Sequence, residues 1–409
     1  MTTKALSGSN TSAMKQHNLR AVLFHLLRDG VSSRANLAEK TQLSNTAVGN
    51  LVAELIEDDI LSEKIEQPSS KQNGRHEQRG VGRPRTALRL SPNARFAIGV
   101  HIGIGVLRAS VTNLFGESVC DKIVNYDIAS SSARVLSQIE RLVESTIVKS
   151  KIERLRVVGV GIGASGLVDH ITGVNVLAPA LGWHNVPLRD DLSQRLKLPV
   201  VVDNNVRAMA LGESMFGAGR GALSLAFVYG RVGVGAGFVV NGQLFRGSGA
   251  GAGEIGHSVI AHNGKPLELE QVLSERVLIE EATRLAKSKP RGILARHLLR
   301  EEDKMIERIF NAARAGDTAV SELIASKATH LGFALANIVN ALNPELIVLG
   351  GMFVDGSDLF LPVAEATMQK HSFAGLGSRV RVQPTSFGWR AGVIGAASLA
   401  LATIFYQIE

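Results

Sequence analysis

The chain has 409 residues, 45% of them hydrophobic, and carries a formal net charge of +8. That length is too great for one ordinary domain and suggests roughly two or three units. A single cysteine, Cys120, excludes an intramolecular disulfide and a multi-thiolate metal cluster within one chain. The opening MTTKALSGSN lacks the apolar core of a signal peptide. The longest apolar run, Ala391 to Tyr406, falls short of the roughly 20 residues of a membrane span, so a cytoplasmic protein with no membrane partner is expected.

Residues 1–15 are polar and read as a flexible tail. From Asn18 the spacing of Leu19, Val22, Leu23, Leu26 and Leu27 predicts a helix that Gly30 ends. Ser33 can cap a short second helix running through Lys40, and Ser44 can cap a third that extends to about Asp58. A tight turn at Thr41–Leu43 separates them, which is the order of a helix-turn-helix. Ile60-Leu61 and Thr86–Leu90 then read as two strands of a ribbon. Between Ser69 and Leu90 lie Lys71, Arg75, Arg79, Arg83, Arg85 and Arg89, opposed only by Glu77. Residues 16–92 are therefore expected to form a winged helix-turn-helix that binds double-stranded operator DNA.

In such a module the start of the third helix enters the major groove, where short polar side chains meet base edges. Those positions carry Ser44, Asn45, Thr46 and Asn50, while Ser33 and Arg34 open the second helix near the phosphates. Glycines and Pro84 in Gly80–Arg85 suit a narrow tip that presents Arg83 and Arg85 to a minor groove. The competing reading is a three-helix partner-binding module with a solvated basic loop.

From Arg95 the texture becomes α/β. Phe96–Val111 reads as a strand, a glycine turn and a returning strand, and Glu117–Tyr126 continues the meander. Ala133–Lys149 reads as a helix. Val157–Ile162, Val200–Val202, Ser224–Tyr229 and Leu346–Leu349 have strand length. Gln271–Ala286 and Glu307–Asn340 read as helices, and the C-terminus is helical. Glu254 and His257 fall on a loop held by glycines, and Val202–Val206 ends an apolar strand in a polar cluster. Carboxylate, amide and imidazole groups together are what sugar hydroxyls require.

The ordered set is more specific than any member. Gly163–Asp169 (GASGLVD), Leu181–Leu188 (LGWHNVPL), Val202–Ala208 (VDNNVRA), the Gly233–Gly237 turn, Gly253–His257 (GEIGH), Glu270–Ser274 (EQVLS) and Asn343–Gly351 (NPELIVLGG) resemble the ROK family of repressors and sugar kinases. The resemblance covers residues 15–400 and implies a two-lobed, actin-like/ribonuclease H-like sugar-kinase fold behind the winged module. It implies one lobe at 93–205, completed by a C-terminal helix at 388–409, and a second at 206–387. By the same resemblance Ser165, Gly166, Asn204, Asn205, Glu254, His257 and Glu270 would form a sugar site, with Trp183 either shaping its mouth or packed in the core. A homodimer or homotetramer is expected, because half-site spacing is read by a two-fold pair.

The family's kinases use an Asp as base, an acidic residue in the first strand turn and a hydroxyl in the phosphate turn. Here those positions fall on Asn205, His101 and Val234. An amide cannot take a proton near neutral pH. The resemblance therefore implies a sugar-responsive regulator, expected to repress, with no catalytic residue and no cofactor; an ATP-dependent kinase is the alternative. The family's zinc site joins the motif histidine to three downstream cysteines, and this chain has none there, so no metal is expected. His262 and Glu268 would be the only substitutes.

Overall fold

Two serine caps define the first module of the computed structural model, which describes residues 11–65, 86–262, 264–298 and 304–407. Helix α1 (Thr11–Asp29) leads to a short strand β1 (Val31–Ser32). The Ser33 hydroxyl accepts from the Asn36 amide to start α2 (Arg34–Thr41), and Gln42 closes it in the left-handed region at φ 56°. The Ser44 hydroxyl accepts from the Ala47 amide to start α3 (Asn45–Glu57). Strands β2 (Leu61–Ile65) and β3 (Thr86–Leu90) pair antiparallel, and β1 pairs on the other side of β3. This is a winged helix-turn-helix. The first helix starts at Thr11, earlier than the polar composition of residues 1–15 suggests; Lys15 pairs with Glu54 of α3 at 2.7 Å.

The first lobe is built on β4 (Phe96–Gly103), β5 (Val106–Asn113), β6 (Ser118–Asn125), α4 (Ser132–Ser150) and β7 (Val157–Ala164). A side sheet of β8 (Leu167–Asp169), β9 (Val174–Ala178) and β10 (Trp183–Val186) follows, then α5 (Leu188–Leu196) and β11 (Val200–Asn204). Its main sheet runs β11-β7-β4-β5-β6. Helix α6 (Asn205–Phe216) then crosses to the second lobe, with β12 (Leu225–Gly230), β13 (Val234–Val240), β14 (Gln243–Phe245), and the ribbon β15 (Val259–His262) and β16 (Lys265–Glu268).

Helices α7 (Glu275–Ser288), α8 (Ile293–Leu298), α9 (Met305–Arg314) and α10 (Thr318–Leu342) pack beside it. Strand β17 (Leu346–Gly351), α11 (Met352–Asp355), α12 (Ser357–His371), β18 (Arg381–Pro384) and α13 (Ala391–Ala400) complete the chain. The second main sheet runs β14-β13-β12-β17-β18. Both sheets thus share one order: the first three strands form an antiparallel meander, and two further strands add parallel to the first. This duplication defines the actin-like sugar-kinase fold.

The span read as a single helix over Glu307–Asn340 is broken, because Gly316 adopts φ 92° and Asp317 caps a new helix at Val320. Helix α10 is the core of the second lobe, with Leu331, Leu335 and Val339 buried. Helix α13 is buried throughout against β4 and β7. It comes so close that a Cβ at Gly99 or Gly161 would overlap the carbonyl oxygens of Val393 and Ala396. By length and apolarity the helical stretch 388–405 resembles a membrane span, but 67% of it is buried in the protein.

The winged module is not on a loose tether. Its Val22, Leu26, Val52 and Leu88 belong to one apolar cluster with Met209 and Met215 of α6, Leu399 of α13 and Tyr406. Arg20 Nε donates to Gln407 Oε1 at 2.7 Å, and Arg220 donates to the carbonyls of Leu27 and Arg28 at 2.8 and 3.2 Å.

Candidate functional site

The turn from β11 into α6 places the central polar cluster. The Asn204 side-chain oxygen accepts from the Val206 and Arg207 amides and so caps α6, while its Nδ2 donates to the Gly166 carbonyl at 2.9 Å. One amide hydrogen is left for a ligand. Gly166 has φ 94°, and a Cβ there would overlap the Leu177 carbonyl. Asn205 is also buried; its amide nitrogen lies 3.4 Å from Ser165 Oγ and 3.5 Å from His101 Nε2.

Across the cleft, Gly253 (φ 102°) lies so close to β13 that its carbonyl accepts from the Ala236 amide at 2.7 Å. That contact fixes the loop bearing Glu254 and His257. Glu270 packs against Gly233 and Gly256, where a Cβ would come to 3.0 and 3.1 Å from its Oε2. Ser165, Gly166, Asn204, Asn205, Glu254, His257 and Glu270 all line one cavity of about 360 Å³ between the lobes. The volume lies within the roughly 300–1,000 Å³ of small-molecule sites.

His101, which the sequence reading placed at the kinases' acidic position, shares this cavity with four side chains it passed over: Arg108, Tyr229, Arg231 and Glu275. Burial first, and then Arg108 and Arg231, push the His101 pKa down to about 3, so its imidazole is neutral. Beneath the floor, Asp203 is fully buried and accepts from Arg207 Nε at 2.7 Å and Arg246 Nε at 2.8 Å. It also accepts from the Asn204 amide at 2.7 Å, so it caps and clamps the turn. Arg207 lies one helical turn beyond Asp203 and is readable as its partner, whereas Arg246 is distant in sequence and gave no local signal.

Trp183 does not shape this mouth. It is buried in the first-lobe core on β10, where the left-handed Gly182 turns it inward.

His257 is exposed and its Nδ1 donates to Glu268 Oε2 at 3.1 Å, which raises its pKa above the ordinary value. With Glu270 these residues offer three ligand atoms within 4.8 Å of one another. The set lacks the thiolates of a Cys₃His structural zinc site, and Cys120 lies on β6, in the other lobe. His262, the other substitute, ends β15, where it pairs in register with Lys265.

On the winged module, Asn45, Thr46 and Asn50 are exposed on the first turns of α3. Ser33 and Ser44 spend their hydroxyls as helix caps. Arg34 donates twice to Glu63 of β2, at 2.6 and 3.2 Å, so its charge is partly engaged. Arg83 and Arg85 lie outside the described residues.

The profile of the ROK family matches residues 97–403. This chain belongs to the ROK family. A xylose repressor of Caldicellulosiruptor bescii is 29% identical over 401 residues, covering 96% of this chain and 97% of that one. Among solved structures, a ROK family transcriptional regulator homologous to the E. coli MLC protein superposes with TM-score 0.80 at 25% identity, over 97% of this chain and 98% of that one. A ROK glucokinase from Streptomyces griseus, solved with glucose and AMPPNP, gives TM-score 0.66 at 28% identity, over 74% of this chain and 98% of its own. The likeness to the regulator includes the winged module; the likeness to the kinase omits it.

Proposed function

We propose that this ROK protein is a cytoplasmic, sugar-responsive repressor that binds operator DNA as a homodimer or homotetramer and has no kinase activity. What supports the reading is a cleft between the lobes in which the expected hydroxyl-binding groups gather and where, by the family resemblance, the kinase acids are replaced. All seven sugar-site residues line one cavity, yet the base position is the amide Asn205 and the first-strand position is a neutral His101. Positioning without a base or a phosphate-turn hydroxyl binds a sugar but does not transfer phosphoryl to it. In this reading Asn204, Asn205, Glu254, His257 and Glu270 hold ligand hydroxyls, with Ser165 and Gly166 as the wall. Asn45, Thr46 and Asn50 read bases, Ser33, Arg34 and Ser44 hold the backbone, and Arg83 and Arg85 extend the wing.

Helix α6 supplies the connection. It begins at Asn205 in the sugar cleft and ends just before Arg220, which holds the carbonyl end of α1. A ligand that favours one closure of the lobes therefore biases the placement of the winged module, to the extent of its differential affinity for the two arrangements. The test is thermal stability of the purified protein titrated with hexoses, pentoses, amino sugars and their phosphates, followed by DNA release. An upward shift with one compound, abolished by Glu254→Ala, is expected. Absence of any shift at millimolar concentration, or ATP hydrolysis coupled to a sugar, would overturn the proposal.

A further inference from the structure

The groups that line the sugar cavity come from both lobes. Ser165, Gly166, Asn204 and Asn205 stand on the first lobe or at its border, and Glu254, His257 and Glu270 on the second. They can grip one ligand together only while the lobes are closed, so whatever holds the closed arrangement governs binding. An ion pair joins the lobes beside these groups. Arg246, which follows β14, donates from Nε to Asp203 Oδ2 of β11 at 2.8 Å. In the same region β8 of the first lobe lies against the second-lobe turn Ser248–Ala250.

Both ends of this pair are tied to cavity residues. Asp203 precedes Asn204, whose backbone amide donates to Asp203 Oδ1 at 2.7 Å. Arg246 opens the loop that ends in Glu254 and His257. The Arg246 carbonyl accepts from the Ala252 amide at 3.2 Å, and the Gly253 carbonyl is pinned to β13. Gly247, Gly249 and Gly253 adopt φ of 68°, 70° and 102°, which lets so short a loop fold back on itself. Neither Asp203 nor Arg246 lines the cavity. The pair therefore acts on a ligand only through the residues it positions.

The pair is also built to open. Asp203 Oδ1 is occupied from within its own turn, by Arg207 Nε at 2.7 Å and by the Asn204 amide, while Oδ2 takes Arg246. When the lobes part, the buried carboxylate keeps a cation, and Arg246, already 19% exposed, moves into water. A pair whose opening stranded a buried charge would lock the lobes together. This one strands none.

We propose that Arg246 is a positioning residue for the sugar response: its pair with Asp203 latches the Glu254–His257 loop against the first lobe and sets the share of closed, binding-competent protein. This rests on the sugar-sensor reading and adds the element that closes the sensor. Asp203 and Asn204 stand at the root of α6, so closure at Arg246 bears on the helix that leads to Arg220 and the winged module. The apparent affinity for a sugar then scales with the closed share.

The test is the interlobe distance in the full-length protein carrying Cys120→Ser, with spin labels at Ile171→Cys in the first lobe and Val259→Cys in the second, both exposed positions. Double electron–electron resonance is recorded without sugar, and calorimetric titration follows with glucose, glucosamine and xylose. Arg246→Ala is expected to move the distance distribution outward. It should weaken whichever of the three sugars binds the labelled parent by roughly five- to tenfold, the scale of one charge-assisted hydrogen bond partly open to water. Arg246→Lys should restore part of both effects. Unliganded melting of each variant checks that it folds. A purely structural role for Arg246 would lower the melting midpoint and leave distance and affinity unchanged. An unchanged distance in Arg246→Ala, or a lengthened one with unchanged affinity, overturns the latch; sugar binding abolished by Glu254→Ala would show that the sensor still stands. If none of the three sugars binds the parent, the ligand-free distances alone decide the latch.

Discussion

The clamp under the cleft makes the sharpest energetic prediction. Asp203 and Arg207 are each 1% exposed, and Arg246 joins them from the second lobe. In Asp203→Ala the Arg207 guanidinium keeps the Val168 carbonyl at 3.0 Å but loses its carboxylate. Breaking a buried pair by removing one partner costs about 3–5 kcal/mol. For a lobe of this size that corresponds to a fall of roughly 6–20 °C in its melting midpoint. Arg246→Ala should cost less, because Asp203 keeps Arg207 and the Asn204 amide, and the Arg246 side chain is partly exposed. The double replacement Asp203→Leu/Arg207→Met, which removes both charges together, should recover much of the loss. Trp183 is a suitable reporter: it is buried in the first lobe, and both tryptophans of the chain lie outside the winged module. Urea unfolding followed by its fluorescence would measure all three. An Asp203→Ala loss below about 1 kcal/mol, the scale of an exposed pair, would refute the assignment of this group as a buried clamp.

Three further outcomes follow from the same structure. Gly161→Ala, whose Cβ would overlap the Ala396 carbonyl, should cost about 3 kcal/mol or more by forcing α13 off the sheet; a melting midpoint within a few degrees of wild type would contradict that contact. Arg220→Ala removes the bonds to the Leu27 and Arg28 carbonyls, and in fluorescence anisotropy it should leave operator binding in place while weakening its response to effector. His257, whose pKa the Glu268 hydrogen bond raises, should titrate by NMR above its ordinary 6.5 and return toward it in Glu268→Gln. Because the folded pKa is the higher one, the contribution of this exposed pair is fully present below pH 6.5 and is lost as pH rises through the shifted value.

What could be read from the sequence was whatever local chemistry decides. Ser33 and Ser44 start helices because a hydroxyl satisfies an orphan amide three residues on, and no tertiary partner is needed for that inference. The apolar runs marked the strands for the same reason. Errors arose where local pattern and local geometry part company. The apolar period of α9 continues into α10 across Gly316, so composition alone reads one helix, whereas the backbone turns there and Asp317 caps the next. Residues Thr11–Lys15 look polar enough for a tail, yet a helix already nucleated by its buried face extends through them.

The cleft shows a deeper limit. Glu254, His257, Asn204 and Asn205 could be nominated because each lies in a glycine-set or strand-end motif. Arg108 lies inside a strand of ordinary alternation and carries no motif. Its meaning depends on what faces it: His101 through the strand register, and Arg231 through a duplicated hairpin that no spacing rule connects to it. The substitutions at 101 and 205 read, in one dimension, as losses of catalysis. In three dimensions they lie 3.5 Å apart in one cavity, beside arginines from both lobes that no local motif announces.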